Sequence, residues 1–333
     1  MRRITSLVLL VVLIGAGVHY WPRLHSTFFA SSTTSTSISH YPTAPLTGLP
    51  DPSGATKTRS ALTVKIENTP DALPQWGIDQ ADVVYEEIVN GGITRLAAIF
   101  NSQAPSKIGP VRSVRPTDTQ IVWPLGGIFA YSGGAQYAVN SISTAPVKLI
   151  DESSAGSAMF RDPTRQAPHN LYAVTSSLFA FGGTPTPPPA LFSYTNARPS
   201  RSATSVATFT VPFPSIYPVT WTWNKTTKSW DRTLFGQPDV TGTGVRESPK
   251  NVIVMNVNYV NGIGTMNSYG DLQGTGTAEF FVKGKEVTGR WSRGASKADI
   301  ISYADAKGNP MKFTPGQTWV ELLDAGAQLS VTP

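Results

Sequence analysis

Cysteine is missing from all 333 residues of the chain. The chain therefore has no disulfide framework, no thiol nucleophile and no cysteine-ligated zinc or iron–sulfur site. Histidine is scarce, with four in the chain, which disfavours a histidine-rich metal centre, and we expect no metal ion or other cofactor. Charged residues make up only 14%, but 40% of the residues are hydrophobic, so the composition excludes a wholly disordered chain.

The N-terminal 25 residues are predicted to be a targeting segment. Arg2 and Arg3 precede an apolar run, Leu7–Val18, that extends loosely to Trp21. This pattern favours a single-pass membrane anchor that leaves the C-terminal part of the chain extracytoplasmic. Secretion after cleavage of a signal peptide is the alternative. Residues 26–44 are predicted to form a stalk, because ten of the fourteen residues from Ser26 to Ser39 are Ser or Thr.

The basic character of the chain owes much to this targeting segment. The formal net charge is +6, but without Arg2, Arg3 and Arg23 it falls to +3. An exported domain with so small an excess is not expected to bind nucleic acid.

The exported part is predicted to have an α+β fold in two domains. Residues 45–181 alternate strand and helix patterns, which predicts a mixed α/β domain. A Pro-rich linker follows over 182–200, and residues 201–333 predict a mostly antiparallel β domain. The first domain is expected to contain strands Ala61–Glu67, Asp82–Val89 and Thr94–Asn101, and helices Ser113–Trp123, Ala135–Ile142 and Asn170–Phe181.

The densest polar segment is Ile108–Asp118, with the sequence IGPVRSVRPTD. Arg112, Ser113 and Arg115 stand where a helix is predicted to begin. Guanidinium groups beside free helix N–H groups suit a phosphate or carboxylate, and Arg95 adds positive charge. The alternative is that these arginines pair with carboxylates of the chain itself, such as Glu86, Glu87 or Asp118.

Carboxylates and histidine offer weaker candidates for catalysis. Glu86 and Glu87 point to opposite faces of a strand, so one at most reaches a given site. Glu86 or Glu87 with Asp118 could act as an acid/base pair on a glycosidic bond. His169 is interpreted as a capping or structural residue, with a catalytic role as the alternative.

Trp221 and Trp223 share a strand face and form either a sugar-stacking platform or an aromatic core.

These motifs together resemble the YerB-like bacterial cell-envelope proteins. The matching stretches are Pro45–Gly48, Ile66–Asn68, Pro74–Gly77, Gln80–Asp82, Val84–Glu86, Gly91–Arg95, Ile108–Arg115, Arg161, Ala167–Tyr172, Asn251–Val254, Gly274–Ala278 and Gly316–Val320. The resemblance implies two paired domains outside the membrane and no particular activity. Many relatives are lipoproteins anchored through a cysteine, which this chain lacks, so the N-terminal segment must replace that anchor or the protein is released. Asn90 stands where the family typically carries an acid.

The sequence thus favours a binding protein of the cell envelope over an enzyme. We expect an anionic wall component to bind through Arg95, Arg112, Ser113 and Arg115, with Asp118 and His169 nearby. Glu86 is expected to orient the arginines or to contact a ligand hydroxyl. The alternatives are a hydrolase of wall polymer that uses Glu86 or Asp118, and a scaffold that docks another envelope protein through its β domain.

Overall fold

Strands from both halves of the chain pair within one 12-stranded sheet. The computed structural model describes residues 42–182, 185–197, 199, 203–214 and 218–333. The predicted anchor, nearly all of the predicted stalk and part of the predicted linker lie outside these residues. Residues from Tyr41 onwards belong to one compact unit.

The N-terminal stretch consists mainly of strands, with few helices. Its strands are β1 (Leu62–Asn68), β2 (Val83–Ile88), β3 (Thr94–Phe100), β4 (Ile128–Ala130), β5 (Lys148–Ile150), β6 (Met159–Arg161) and β7 (Leu171–Ala173). Its α-helices are short: α1 (Pro116–Val122), α2 (Gln136–Ile142) and α3 (Thr175–Phe179). The predicted mixed α/β character is therefore not clear.

The helix predicted over Asn170–Phe181 is wrong in its first part. Residues Leu171–Ala173 form β7 instead, which pairs antiparallel with β6. This pairing supplies backbone hydrogen-bond partners from a distant segment, and such tertiary contacts override a weak local helix preference. Helix α3 occupies only Thr175–Phe179.

The C-terminal stretch is β-rich, as predicted. Its strands are β8 (Thr204–Ser205), β9 (Thr208–Val211), β10 (Val219–Asn224), β11 (Ser229–Leu234), β12 (Gln237–Pro238), β13 (Asn251–Val260), β14 (Tyr269–Asp271), β15 (Gly274–Val282), β16 (Lys285–Arg293), β17 (Ser302–Asp305), β18 (Thr318–Asp324) and β19 (Ser330–Thr332).

Strand β18 joins the two stretches. The main sheet runs in the order β17-β16-β15-β13-β18-β2-β3-β1-β4-β5, and its other two strands lie beside this path, β14 paired with β13 and β8 paired with β16. Strand β18 is parallel to both of its neighbours, with Val320 opposite Ile253 of β13 and Tyr85 of β2. The ladder of hydrogen bonds therefore continues from the C-terminal stretch into the N-terminal one.

The two faces of this sheet are covered differently. A second sheet, in the order β12-β11-β10-β9-β19, covers the face that we call the tryptophan face, where the ring centroids of Trp221 and Trp319 lie 5.4 Å apart. Trp221 is fully buried, so it belongs to an aromatic core and offers no accessible platform. Helix α1 and strand β14 cover the opposite face, here called the helix face, where the Thr117 hydroxyl accepts a hydrogen bond from the Gly270 amide at 3.0 Å.

Candidate functional site

A row of charged side chains crosses three neighbouring strands on the helix face. Arg95 of β3 lies opposite Glu67 of β1 on one side and opposite Glu87 of β2 on the other. Side chains alternate between the faces of a strand, so these three residues and Lys65, two positions before Glu67, share the helix face. The row lies where β1 and β2 end and β3 begins.

Lys65 joins two acidic side chains in the buried part of this row. Its ammonium contacts the carboxylate of Glu87 and lies 2.8 Å from Asp118 Oδ1. All three side chains are almost completely buried. Burial raises the pKa of Asp118 to about 6 against the opposing charge of Lys65, and the charge of Glu87 adds to the rise. This triad fixes charges inside the protein and is not accessible to a ligand.

Asp118 also fixes the start of helix α1. Its Oδ2 accepts a hydrogen bond from the backbone N–H of Arg115 at 2.6 Å, and Pro116 occupies the first turn. An acidic side chain in the first turn satisfies a free N–H group and complements the helix dipole. The sequence therefore places Arg115 at a helix start, as predicted, although the helix begins three residues after Ser113.

Three arginines lie together around this helix start. Arg95 donates from Nη1 to the carbonyl oxygen of Ser113 at 3.0 Å. Arg115 donates from Nη2 to Asn90 Oδ1 at 2.7 Å and from Nη1 to the Val114 carbonyl at 2.8 Å. Burial, followed by the repelling charges of Arg115 and Arg112, lowers the pKa of Arg95 to about 9. Arg95 keeps its charge at neutral pH.

Glu67 holds the part of the cluster that meets solvent. Its Oε1 lies 3.0 Å from Arg112 Nε and 2.9 Å from His169 Nδ1, and it accepts a hydrogen bond from the Thr69 hydroxyl at 3.1 Å. The Glu67 side chain is 2% exposed, whereas those of Arg112 and His169 are 20% and 24% exposed. A ligand in solvent therefore meets Arg112 and His169 before Glu67, and the exposed carboxylate of Asp71, 4.0 Å from His169 Nε2, lies at the same opening. We call Glu67, Arg95, Arg112, Arg115 and His169 the arginine site.

The structure thus brings together most of the predicted site residues. Arg95, Arg112, Arg115, Asp118 and His169 lie on the helix face. Ser113 takes part through its carbonyl oxygen, and its hydroxyl makes no hydrogen bond among the described residues. His169 precedes strand β7 and not a helix, and its partner is Glu67.

Glu86 is not part of this site, contrary to the prediction. Its fully buried carboxylate lies on the tryptophan face, where it accepts hydrogen bonds from Asn68 Nδ2 at 2.9 Å, Thr94 Oγ1 at 2.6 Å and Arg232 Nη2 at 2.7 Å. The orienting role expected of Glu86 falls to Glu67. Because Glu86 and Asp118 lie on opposite faces of the sheet, they do not flank a common space for a sugar bond.

The sequence interpretation did not single out Lys65 and Glu67. A signal for both was present: in the predicted strand ALTVKIE, Lys65 and Glu67 alternate with Leu62, Val64 and Ile66. Such a pattern usually predicts a solvent-facing polar side. All seven residues of β1 are buried here, so the polar side faces other charged residues.

Comparison with known proteins identifies the family. Residues 46–184 match the N-terminal domain, and residues 209–320 the C-terminal domain, of the family described as "Protein of unknown function (DUF3048)". The chain belongs to this family. It is 27% identical over 292 residues to "Putative lipoprotein YerB" of Bacillus subtilis (strain 168). This alignment covers 84% of this chain and 86% of the relative. The predicted YerB-like resemblance is confirmed.

A solved structure has the same fold. The crystal structure of YerB protein from Bacillus subtilis aligns with a TM-score of 0.76 and 23% sequence identity, over 88% of this chain and 100% of the YerB chain. At this identity the likeness concerns the fold alone.

The family segment Ile108–Arg115 builds the central loop of the arginine site. At Gly109, φ is +146°, and a Cβ atom would lie 2.8 Å from the carbonyl oxygen of Leu171. Only glycine leaves room for this approach, which sets the path of the chain toward Arg112. The Arg112 amide then donates to the carbonyl of Lys65 at 2.8 Å, so the loop is fastened to β1.

Two classes of feature are not found among the described residues. No group of three or more His, Cys, Asp or Glu side chains there is arranged to hold a metal ion. In the same part of the chain, no helix has the length and apolar character needed to cross a bilayer. The predicted anchor over residues 1–25 lies outside that part and stays a prediction.

Proposed function

We propose that this protein is a membrane-tethered, extracytoplasmic envelope protein that binds an anionic wall component at the arginine site. Arg112 is the first contact for the ligand, and Arg95 and Arg115 add positive charge behind it. Glu67 holds the guanidinium of Arg112 in place, and His169 borders the same opening. The protein acts by binding and not by catalysis.

The convergence of three guanidinium groups carries this proposal. Among the described residues, Arg112 pairs with Glu67, whereas Arg95 and Arg115 have no carboxylate within ion-pair distance and donate to neutral oxygens instead. A bound anion would supply the negative charge that these two guanidinium groups lack and would offset the repulsion that Arg95 receives from its two arginine neighbours. Carboxylate and phosphate groups match the planar fork of an arginine.

The proposed location has two supports. Residues 2–21 have the charge and hydropathy pattern of a membrane anchor, and the following segment has the composition of a stalk. The relative YerB is named a putative lipoprotein, and lipoproteins are attached to membranes. Release after signal cleavage is the alternative for this chain.

A thermal-shift titration of the full chain tests the proposal. The probes are inorganic phosphate, citrate, and phosphate-rich and carboxylate-rich wall fragments. A ligand that binds only the folded state stabilises it by about 2.7 kcal/mol at a hundredfold excess over Kd. We expect a rise in Tm that Arg112→Ala abolishes and that Arg290→Ala, a change at an exposed arginine of β16, preserves. If no probe raises the Tm, the arginine site is not an anion site, and docking of another envelope protein becomes the better hypothesis.

A further inference from the structure

A cavity of about 270 Å³ opens on the tryptophan face, directly across the sheet edge from the arginine site. Its walls come from both family domains. Thr69, Gly91 and Ile93 belong to the N-terminal one, and Phe213, Leu234 and Phe235 belong to the C-terminal one. The lining is mainly apolar, as in cavities that hold a ring or an alkyl group.

The cavity and the arginine site share one rim. Thr69 lines the cavity, and its hydroxyl donates to the carboxylate of Glu67, which holds Arg112 and His169. Gly91 also lines the cavity and directly follows Asn90, whose side chain accepts the hydrogen bond from Arg115. The edge of the sheet therefore lies between the two sites. It is formed there by Thr69, just after β1, and by Gly91, in the turn between β2 and β3.

The backbone of the cavity wall has an unusual conformation at one position. Phe235 has a φ of +52°, in the left-handed region that a bulky residue rarely adopts, and Gly236 follows with a φ of +71°. Asparagine or glycine is the usual choice at the first position of such a two-residue hairpin turn. From this position Phe235 lines the cavity and also packs against the hydrophobic core.

We infer that the anionic ligand carries an alkyl or ring moiety that crosses this rim and fills the cavity while its charged group lies at the arginine site. This inference rests on the proposed function. The charged group supplies attraction to the arginines, and the apolar moiety is removed from water between the two family domains. A ligand of this kind bridges the two domains, whereas a simple anion contacts only the N-terminal one.

Calorimetric titration of the full chain with inorganic phosphate and with alkyl phosphates of four, six and eight carbons tests this inference. We expect hexyl phosphate to bind about tenfold more tightly than inorganic phosphate, because burial of each methylene is favourable. The gain should rise with chain length and stop rising once the cavity is filled. Ile93→Trp fills the cavity and should remove the gain, whereas Ile263→Trp, at an exposed isoleucine outside the cavity, should keep it.

Each result separates the two levels of the proposal. If inorganic phosphate binds and the alkyl phosphates bind no more tightly, the inference is wrong and the anion site stands. An equal gain in Ile93→Trp and the unmodified protein also contradicts it, because the alkyl chain then lies elsewhere. If neither kind of probe binds, the proposed function itself fails. The chain-length series decides the matter in the unmodified protein even if Ile93→Trp does not fold.

Discussion

Glu86 and Glu321 lie directly opposite each other on the parallel strands β2 and β18, and both side chains are fully buried. Arg232 donates to Glu86 at 2.7 Å, and the Trp221 indole donates to Glu321 at 3.0 Å. Burial, and then the charge of Glu86, raises the pKa of Glu321 well above its usual value. The raised pKa favours a proton on Glu321 that faces Glu86 across the strand pair, and we refer to this as the shared-proton arrangement.

Glu321→Gln should remove a pH-dependent loss of stability. The folded state holds the Glu321 proton more tightly than the unfolded chain, in which the pKa of this side chain is 4.5. The stability that the bound proton contributes is therefore fully present below pH 4.5 and is lost as the pH rises through the pKa of Glu321 in the folded state. A glutamine amide donates to Glu86 at every pH. We expect equal free energies of unfolding for the variant and the unmodified protein at pH 4, and a more stable variant at pH 8. Urea denaturation across this range measures the difference.

A matched control for this experiment is Glu152→Gln, which makes the same chemical change at a partly exposed glutamate. Its stability curve should follow that of the unmodified protein. A Glu321→Gln variant whose curve also runs parallel to the unmodified one at all pH values would contradict the shared-proton arrangement.

Arg232→Met should strongly destabilise the fold. The guanidinium of Arg232 contacts Glu86 and Asp239 and lies over the Trp319 ring at 4.7 Å, all in the buried layer between the two sheets. Removing one partner of a buried ion pair leaves an uncompensated charge and costs about 3–5 kcal/mol. We expect this loss in urea denaturation at pH 8. Arg290→Met, at an exposed position, is the control for denaturation.

Glu86 and Glu87 illustrate how far the sequence could predict this site. Alternation along a strand correctly separates their side chains between the two faces. It does not tell which face meets Arg95, because that depends on strand register and on β18, which arrives from more than 200 residues further along the chain. The hairpin of β2 and β3 and the helix start at Arg115 are local features, so the sequence predicts both. Glu67 was missed because its partners His169 and Arg112 are distant in the sequence.

Arg112→Ala and Arg115→Ala should differ in their effect on stability. Arg112 is partly exposed, so we expect its removal to cost about 1 kcal/mol. Arg115 is buried and donates to Asn90 and to the buried Val114 carbonyl, and a buried acceptor left without its hydrogen bond costs about 1–3 kcal/mol. Thermal unfolding of both variants measures the contrast. If Arg112→Ala destabilises the protein as much as Arg115→Ala does, Arg112 is a structural residue and its availability to a ligand is in doubt.

Gly109→Ala should disturb the loop that carries Arg112. The added Cβ would lie 2.8 Å from both the Leu171 carbonyl oxygen and the Tyr172 ring, a distance that requires the backbone to shift. Gly54→Ala is the matched control, because Gly54 also has a positive φ, +68°, but a Cβ atom there meets nothing within 4 Å. The control isolates the conformational cost of a left-handed alanine, about 1 kcal/mol. We expect Gly109→Ala to lose more stability than Gly54→Ala and, unlike it, to weaken phosphate binding, because the path from Gly109 sets the position of Arg112. Equal losses in the two variants would show that close packing at Gly109 does not shape the site.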